Sequence, residues 1–399
     1  MFFATMLGVE TGYSYAGGLL LLASFWFLAK RPALDLESID KAMLYALLAY
    51  FLVSLASLLY LGNSVKDLDQ SVRTLAAIPI LLLLLHVPVS LTAIWAGIVI
   101  GAVSSMIIAA WQLHVLHYDR AEGFLNIIHF GNIALVFGAF CVGGLFWAGA
   151  ERPRARLWRA AFVLGMVCSG YSVIASGSRG SWVAMFPLLI VFAIAYINRR
   201  NAWRIGGAVV VLAAVVAMLF AAPDSRLRQR YDAAVSDITR FEHKDEADTS
   251  IGARFAMWEG ALANIAKKPL LGWNLQDYTN ELRRRVDANE LDPVVLQFND
   301  NLHNNYLQAW VFEGLPGLLA LLALYLVPLW HFGRRLRDAD LTVRTLAFCG
   351  TSLVASYLCF GLTQVILRRV NGIMFFVLTL VILWGCLRHA IRASASTRR

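Results

Sequence analysis

Charged residues are scarce in this sequence of 399 residues. Only 15% of its residues are Asp, Glu, Lys or Arg, whereas 59% are hydrophobic, and the mean hydropathy is +0.62. Ordinary soluble domains carry about 25% charged residues, and so apolar a chain cannot bury its surface in one soluble core. The composition therefore excludes a soluble enzyme and indicates a polytopic membrane protein.

Cysteine is rare as well, and all five cysteines lie in apolar runs. They are Cys141, Cys168, Cys349, Cys359 and Cys386. None lies in the one long polar segment where an oxidising compartment could pair them, so neither a disulfide framework nor a metal cluster is expected. The stretch HVLHYD at 114–119 could offer two histidines and an aspartate to a metal, but it lacks a fourth ligand. We expect no metal and no cofactor.

Nucleotide-binding motifs are absent too. The sequence has no glycine-rich loop after a strand and no GxSxG, which argues against a soluble nucleotide-sugar donor. The first ten residues, MFFATMLGVE, lack the basic start and the small-residue cleavage site of a removable signal peptide. No nucleic-acid partner is expected.

Long apolar runs fill the rest of the chain and predict membrane-spanning helices, since a helix satisfies its own backbone hydrogen bonds in lipid. The predicted helices are 12–30, 42–61, 72–87, 89–116, 126–148, 157–175, 180–197, 202–222, 303–332, 342–366 and 370–391. Residues 1–10 are expected to cross or dip into the membrane as one more short helix. The predicted fold is an all-α polytopic membrane protein with about twelve transmembrane helices.

The distribution of Lys and Arg predicts the orientation. Alternate connections hold 18 of the 35 basic residues, the opposite short connections hold six, and one long loop holds 11. By the positive-inside rule the first set is cytoplasmic, so the loop is periplasmic and both termini are cytoplasmic. The predicted domains are nine transmembrane helices in 1–222, a periplasmic loop domain in 223–302, and three more helices with a cytoplasmic tail in 303–399.

Six cations on the outward side break this rule, and a charge beside hydrocarbon must snorkel, pair or bind something. Arg179 lies in SGSRGSW, a tight turn whose glycines let backbone and guanidinium approach an anion, unless it is only a solvated turn residue. Arg368 and Arg369 lie in a short connection, LRRV, where phosphate contact is one explanation. The other three have simpler roles as solvated residues or headgroup anchors. These are Lys66, Arg73 and Arg120.

The long loop contains one predicted amphipathic helix in 249–274, capped by Thr249 or Ser250. Arg254 shares a helical face with Met257, Trp258 and Ala261. Either the helix lies on the membrane surface and Arg254 snorkels, or Arg254 points into a site. The stretch 223–248 is too charged to bury.

The segment NLHNNYLQAWVFEGLPG at 301–317 places a histidine at the start of an apolar run. His303 and Tyr306 follow one helical face, and Pro316 should bend the helix further along. Glu313 would be costly in lipid, so it should point into the bundle. A histidine at a helix end is ordinarily structural, but outward arginines at 179 and 254 favour a catalytic role.

Three motifs together resemble the O-antigen ligase and polymerase superfamily of bacterial envelopes. They are SRG at 178–180, GARFAMW at 252–258 and LHNNYLQAWVFEGLPG at 302–317. A single large loop between the ninth and tenth helices is more similar to the ligases than to the polymerases. The resemblance implies a GT-C-like, metal-independent, inverting glycosyltransferase of the inner membrane. It would move a glycan from undecaprenyl pyrophosphate to a sugar of the lipid A core.

The resemblance also implies roles for individual residues. Arg179 and Arg254 would bind the pyrophosphate, and His303 would accept the proton of the acceptor hydroxyl. Further substrate contacts are expected from Arg368, Arg369, Tyr306, Trp258 and Asn304. The partners would be the lipid-linked donor, the lipid A core acceptor and membrane lipids.

Two other functions fit parts of the sequence. An O-antigen polymerase, or a ligase that transfers glycans to protein, would use the same donor and the same arginines with another acceptor. A secondary transporter of an anionic solute would use outward arginines as a gate, but no internal repeat is evident and the charges lie at one face.

Overall fold

The structure is a computed structural model that describes residues 1–62, 65–149, 154–203, 206–207, 214, 218 and 250–397. The named elements of these residues are helices, with three 3₁₀ turns at Val65–Leu68, Pro293–Leu296 and Ile366–Arg368. The helices are α1 (Phe2–Thr5), α2 (Gly12–Ala29), α3 (Ser38–Leu61), α4 (Ser71–His86), α5 (Leu91–His114), α6 (Ile127–Trp147), α7 (Ala155–Ser176), α8 (Arg179–Tyr196), α9 (Ser250–Lys267), α10 (Leu275–Asp287), α11 (Asn305–Gly333), α12 (Leu341–Phe360) and α13 (Val370–Thr397).

Within the described residues, nine helices are long and apolar enough to cross a membrane, and α4 is a shorter apolar helix. The all-α polytopic membrane fold is therefore confirmed. Most predicted bounds agree with the structure to within about four residues at each end. The predicted helix at 202–222 falls largely outside the described residues, and so does the whole charged stretch 223–248.

The first ten residues do not form a spanning helix. Their one helix, α1, has four residues and is only about 6 Å long at 1.5 Å per residue. Phe2 and Phe3 are buried, and Phe3 packs against α5, where Gly97 and Gly101 leave room for it. Instead of the expected twelfth span, the chain begins with a short segment that dips into the bundle. Its apolar side chains pack against neighbouring helices, and its helix ends at Thr5.

The centre of the bundle is formed by α12 and α13, most of whose residues are buried. A charged cluster lies among the helices at the end opposite α9 and α10. Arg388 pairs with Asp40 at 3.2 Å and with Glu37, and the Trp384 indole N–H donates to Asp40 at 2.8 Å. Buried charges in a membrane protein are normally paired in this way.

The predicted bend of α11 occurs at Gly314, two residues before Pro316. Gly314 has φ 68° and ψ −166°, a conformation that only glycine adopts readily. Residues 269–273, between α9 and α10, fit into this break. The N–H of Leu315 donates to the Pro269 carbonyl at 3.0 Å, and the N–H of Trp273 donates to the Val311 carbonyl at 2.8 Å. Residues 269–273 therefore supply hydrogen-bond partners for backbone groups of α11 that have none within the helix at the bend.

Gly314→Ala should lower the stability of the whole protein. A Cβ at this position would lie 2.1 Å from the Leu270 carbonyl oxygen, and the backbone would be forced out of its conformation. We expect a loss of about 3 kcal/mol, seen as a lower apparent unfolding temperature in detergent.

The matched control is Gly18→Ala in α2, where a Cβ would meet no atom within 4 Å. This substitution should leave the unfolding temperature unchanged or slightly raised, since alanine is the better helix former. Equal unfolding temperatures for both variants would contradict the role assigned to Gly314.

Candidate functional site

The segment 300–304 between the 3₁₀ turn and α11 is held by side chains from two helices, α9 and α11. Gln308 accepts the Leu302 N–H at 2.9 Å and donates to the Asp300 carbonyl at 3.0 Å. The Trp258 indole N–H donates to the Leu302 carbonyl at 2.9 Å. These bonds fix a non-helical stretch of backbone at the point where the loop domain (residues 250–302 of the described chain) joins the spans.

His303 lies in this held segment and precedes α11 by two residues, whereas the sequence predicted it as the first residue of the helix. Its φ of 48° places it in the left-handed region, where histidine is more common than most non-glycine residues. Asn304 follows as the N-cap, and its side-chain oxygen accepts the N–H groups of Tyr306 and Leu307 at 3.0 and 3.1 Å.

The imidazole of His303 is half-buried between the loop domain and the connection that joins α12 to α13. Its Nδ1 lies 3.4 Å from the Oε1 of Gln364, whose side chain is buried, and its ring lies 5.9 Å from the ring of Phe298. An amide oxygen accepts hydrogen bonds only, so this contact favours a proton on Nδ1 and leaves Nε2 as the acceptor.

Burial is the main cause of a lowered pKa at His303, and the positive charge of Arg254 lowers it further. Arg369 acts in the same direction, while the contact with Gln364 and the charge of Asp300 oppose them. The imidazole is therefore held mainly neutral at pH 7, which is the form that can accept a proton.

Arg254 lies on α9, and that helix has the amphipathic character predicted from the sequence. Met257 and Ala261 on the same face are buried in a small core of the loop domain. The guanidinium is half-buried, and its pKa is lowered by burial first and then by the positive charge of Arg179. Two guanidinium groups thus lie close enough to repel each other, an arrangement that an anion would stabilise.

Arg179 is the first residue of α8 and is exposed. The Ser178 hydroxyl does not cap the helix but points to the Oδ1 of Asn132 at 3.4 Å, so no side chain caps the first turn. Gly180 adjoins Thr363, whose Oγ1 would lie 3.4 Å from a Cβ at that glycine. Since Thr363 precedes Gln364 in the chain, the start of α8 lies beside the connection that contacts His303.

Arg120 was predicted as a headgroup anchor, but the structure shows a different role. Its Nε donates to the Ser176 carbonyl at 2.7 Å and its Nη2 donates to the Gly177 carbonyl at 2.9 Å. Arg120 therefore satisfies carbonyls at the end of α7 and shapes the turn that presents Arg179.

The connection between α12 and α13 is longer than the sequence suggested. The helix α12 ends at Phe360, so the connection runs over 361–369 and includes a 3₁₀ turn. Arg368 and Arg369 are both exposed at its end. Arg368 donates to the Asp300 carbonyl at 2.6 Å, and Arg369 acts on His303 through its charge. Sequence reasoning missed Gln364, because an amide near a helix end carries no signal of its own.

Two other expected substrate contacts make bonds within the protein. The Tyr306 hydroxyl donates to the Leu358 carbonyl at 2.7 Å, and Trp258 donates to Leu302 as described. With Asn304 as the helix cap, these side chains support the segment that carries His303.

The arrangement combines two guanidinium groups with a half-buried imidazole at one end of the bundle. No group of three or more potential metal ligands occurs among the residues that the structure describes. In HVLHYD at 114–119, considered above as a possible metal site, the Nε2 of His114 lies 3.1 Å from the Tyr171 hydroxyl. Guanidinium groups bind phosphate oxygens bidentately, so the site is suited to a phosphorylated substrate and a proton transfer.

Comparisons with known proteins give three matches. Residues 164–322 match a family model described as O-Antigen ligase, and this segment contains Arg179, Arg254 and His303. The chain is 27% identical over 379 residues to an uncharacterized protein of Haemophilus influenzae, covering 94% of each chain. It is also 27% identical over 188 residues to the O-antigen ligase of Escherichia coli K12, covering 47% of this chain and 44% of that protein.

Proposed function

We propose that this protein transfers a glycan from a lipid pyrophosphate to an acceptor sugar. The proposal starts from the matches to the O-antigen ligase family. The family supports a glycosyltransferase of the ligase or polymerase type in a multi-pass membrane protein. The donor in this proposal is undecaprenyl-pyrophosphate-linked O-antigen, and the acceptor is the lipid A core. The observation that carries it is that the three cations act on one another: beyond the effect of burial, the charge of Arg179 lowers the pKa of Arg254, and the charge of Arg254 lowers the pKa of His303.

In the proposed mechanism the two arginines hold the pyrophosphate of the donor. Negative charge grows on the pyrophosphate as the bond to the anomeric carbon breaks, and two fixed positive charges stabilise it. They supply the charge that a divalent ion supplies in other phosphate sites, which supports a metal-independent reaction.

His303 is the proposed general base. Its Nε2 would take the proton of the acceptor hydroxyl while that oxygen attacks the anomeric carbon, and direct attack inverts the configuration. The Gln364 contact at Nδ1 supports this role, because it leaves Nε2 with its lone pair.

The proposed setting is the bacterial inner membrane with the site on the periplasmic side and the C-terminus in the cytoplasm; the expected cytoplasmic N-terminus required residues 1–10 to cross the membrane, and their only helix has four residues. The support is the charge distribution. The alternate connections predicted from the sequence hold 18 of the 35 basic residues, and the positive-inside rule assigns those connections to the cytoplasm.

A polymerase, or a ligase that acts on protein, is the second candidate within this family, because it would need the same donor site. The two classes differ in the acceptor. We propose the lipid A core on the similarity to the E. coli protein named O-antigen ligase. The transporter interpretation has less support, since the cations lie at one end of the bundle and not at the membrane midplane.

The decisive experiment is transfer by the purified protein with undecaprenyl-pyrophosphate glycan and lipopolysaccharide that lacks O-antigen, with and without EDTA. We expect slower-migrating lipopolysaccharide in both cases. Longer glycan on the lipid carrier without any lipopolysaccharide would favour the polymerase. Loss of transfer with EDTA, restored by added divalent ion, would contradict metal independence.

The pH dependence of transfer should report on His303. A base must be neutral to act, so activity should rise with pH through the pKa of the imidazole. Because that pKa is lowered, the acid limb of kcat/KM should lie below the ordinary histidine value of about 6.5. In Arg369→Gln one positive charge is removed, the pKa rises, and the limb should move to higher pH. Measured pH profiles of the two proteins test this.

The control for this shift is Arg283→Gln, which removes an exposed charge on α10. Its acid limb should coincide with that of the unmodified protein. An unmoved limb in Arg369→Gln, or one that moves to lower pH, would contradict the assignment of the limb to His303.

A further inference from the structure

The turn between α7 and α8, residues 176–181, carries Arg179 and is held by two groups of contacts. Arg120 bonds two of its carbonyl groups, as described above. The helix α6 packs directly against the same turn, since a Cβ at Gly131 would lie only 3.1 Å from the Cβ of Ser178. The next residue of α6, Asn132, reaches the turn with its side chain.

Asn132 is a buried amide whose oxygen serves two hydroxyl groups of this turn. The Ser181 hydroxyl donates to its Oδ1 at 2.8 Å, and the Ser178 hydroxyl donates to the same atom at 3.4 Å. Both serines are buried as well, and in the chain they lie on either side of Arg179. One side chain of α6 therefore ties down the backbone just before and just after the arginine.

The other half of this amide has no comparable use. The Nδ2 of Asn132 is buried and finds no hydrogen-bond acceptor among the residues that the structure describes. A buried N–H group without a partner destabilises a protein, and a leucine of similar size would fill the same place without that penalty. Stability alone therefore does not explain an asparagine here. What its oxygen supplies is a fixed geometry for the turn that carries Arg179.

We propose that Asn132 is a positioning residue that holds Arg179 ready for the pyrophosphate of the donor. This inference rests on the proposed function. The buried side chain does not touch the donor and acts only through Ser178 and Ser181. A turn released from this contact presents the arginine correctly in only a fraction of the molecules. The apparent dissociation constant of the donor then rises by the inverse of that fraction.

Asn132→Leu in the purified full chain tests the proposal. We expect the dissociation constant of undecaprenyl pyrophosphate and the KM of the donor to rise about tenfold, the factor given by one hydrogen bond. With saturating donor, kcat should change less than about twofold, because bound donor selects the correct turn. The apparent unfolding temperature should stay the same or rise, since the unpartnered Nδ2 is gone and the serine hydroxyls can bond to backbone carbonyls.

A merely structural role gives the opposite result. It would reduce the fraction of folded protein, which lowers the apparent kcat and the unfolding temperature and leaves KM and the dissociation constant unchanged. That result in Asn132→Leu, or a variant that binds and transfers normally, would overturn the proposal.

The two serines show whether Asn132 acts through the turn. The double variant Ser178→Ala/Ser181→Ala should reproduce the tenfold rise, and adding Asn132→Leu to it should change the dissociation constant less than about twofold. The matched control is Ser169→Ala on α7, which removes a buried hydroxyl with no partner among the described residues and should leave KM unchanged. Fully additive effects, about a hundredfold for the triple variant, would overturn the assigned route.

Arg179→Lys, measured beside Asn132→Leu, separates failure of this inference from failure of the proposed function. Weak binding of undecaprenyl pyrophosphate by Arg179→Lys together with normal binding by Asn132→Leu would leave the proposed function standing and overturn the role of Asn132. Normal binding by Arg179→Lys would remove the proposed pyrophosphate contact, and the role of Asn132 would fall with it. Weak binding by both variants is the expected result.

Discussion

His303→Asn should reduce glycan transfer by about 10² to 10⁴ while the protein keeps its fold. General base catalysis by a positioned side chain contributes a factor of this size. Asparagine is the informative substitution because it tolerates the left-handed backbone at φ 48°, whereas alanine adds strain there. A loss of rate without a loss of stability therefore isolates the imidazole. Initial rates with saturating donor and acceptor give the change in kcat.

The matched control is His114→Asn, at the end of α5. This imidazole contacts the Tyr171 hydroxyl, and its substitution should leave kcat unchanged. A normal rate in His303→Asn would contradict the assigned base. A rise in KM for the acceptor with kcat unchanged would instead indicate that His303 only positions the acceptor.

Arg179→Lys and Arg254→Lys should each lower kcat by about 10² to 10³, the effect of removing one stabilising donor from a transition state. Lysine keeps the positive charge but loses the flat, two-pronged geometry that matches a phosphate. If Arg179 and Arg254 act on the departing pyrophosphate, a positive charge without this geometry should preserve little of kcat. Arg→Gln variants at both positions should be less active still.

Donor binding separates this explanation from a structural one. The affinity for undecaprenyl pyrophosphate, measured with the purified variants, should fall together with kcat, since the product presents the same diphosphate. Arg283→Lys, an exposed arginine on α10, is the control and should bind normally. Full affinity and full kcat in both lysine variants would rule out the bidentate contact.

Much of the fold follows from the sequence because apolar runs of helical length have one stable form in lipid. The bounds of α5, α6 and α8 agree closely with those predicted from hydropathy alone. The amphipathic helix α9 was predicted as well, because its caps and its apolar stripe are local signals. Glu313 was predicted to face the bundle for an energetic reason, and it contacts Ser54.

The remaining features depend on contacts between distant parts of the chain. Nothing in the apolar start of the sequence indicates that α1 ends at Thr5, since that depends on room left by two glycines of α5. The site shows the same limit. Gln364 lies 61 positions from His303 and meets it only after folding. The roles of the three cations stay predictions, although the structure brings their charges within range of one another.

The docking of residues 269–273 into the break of α11 has a consequence for how the protein can be divided. Val311, a residue of a membrane span, belongs to the small core that α9 and α10 share. Cutting the polypeptide on both sides of the loop domain would therefore expose apolar surface on the loop domain. In the membrane fragment, the Leu315 amide would lose its acceptor, the Pro269 carbonyl. We expect neither fragment to be stable alone, so the two parts should unfold in a single cooperative transition.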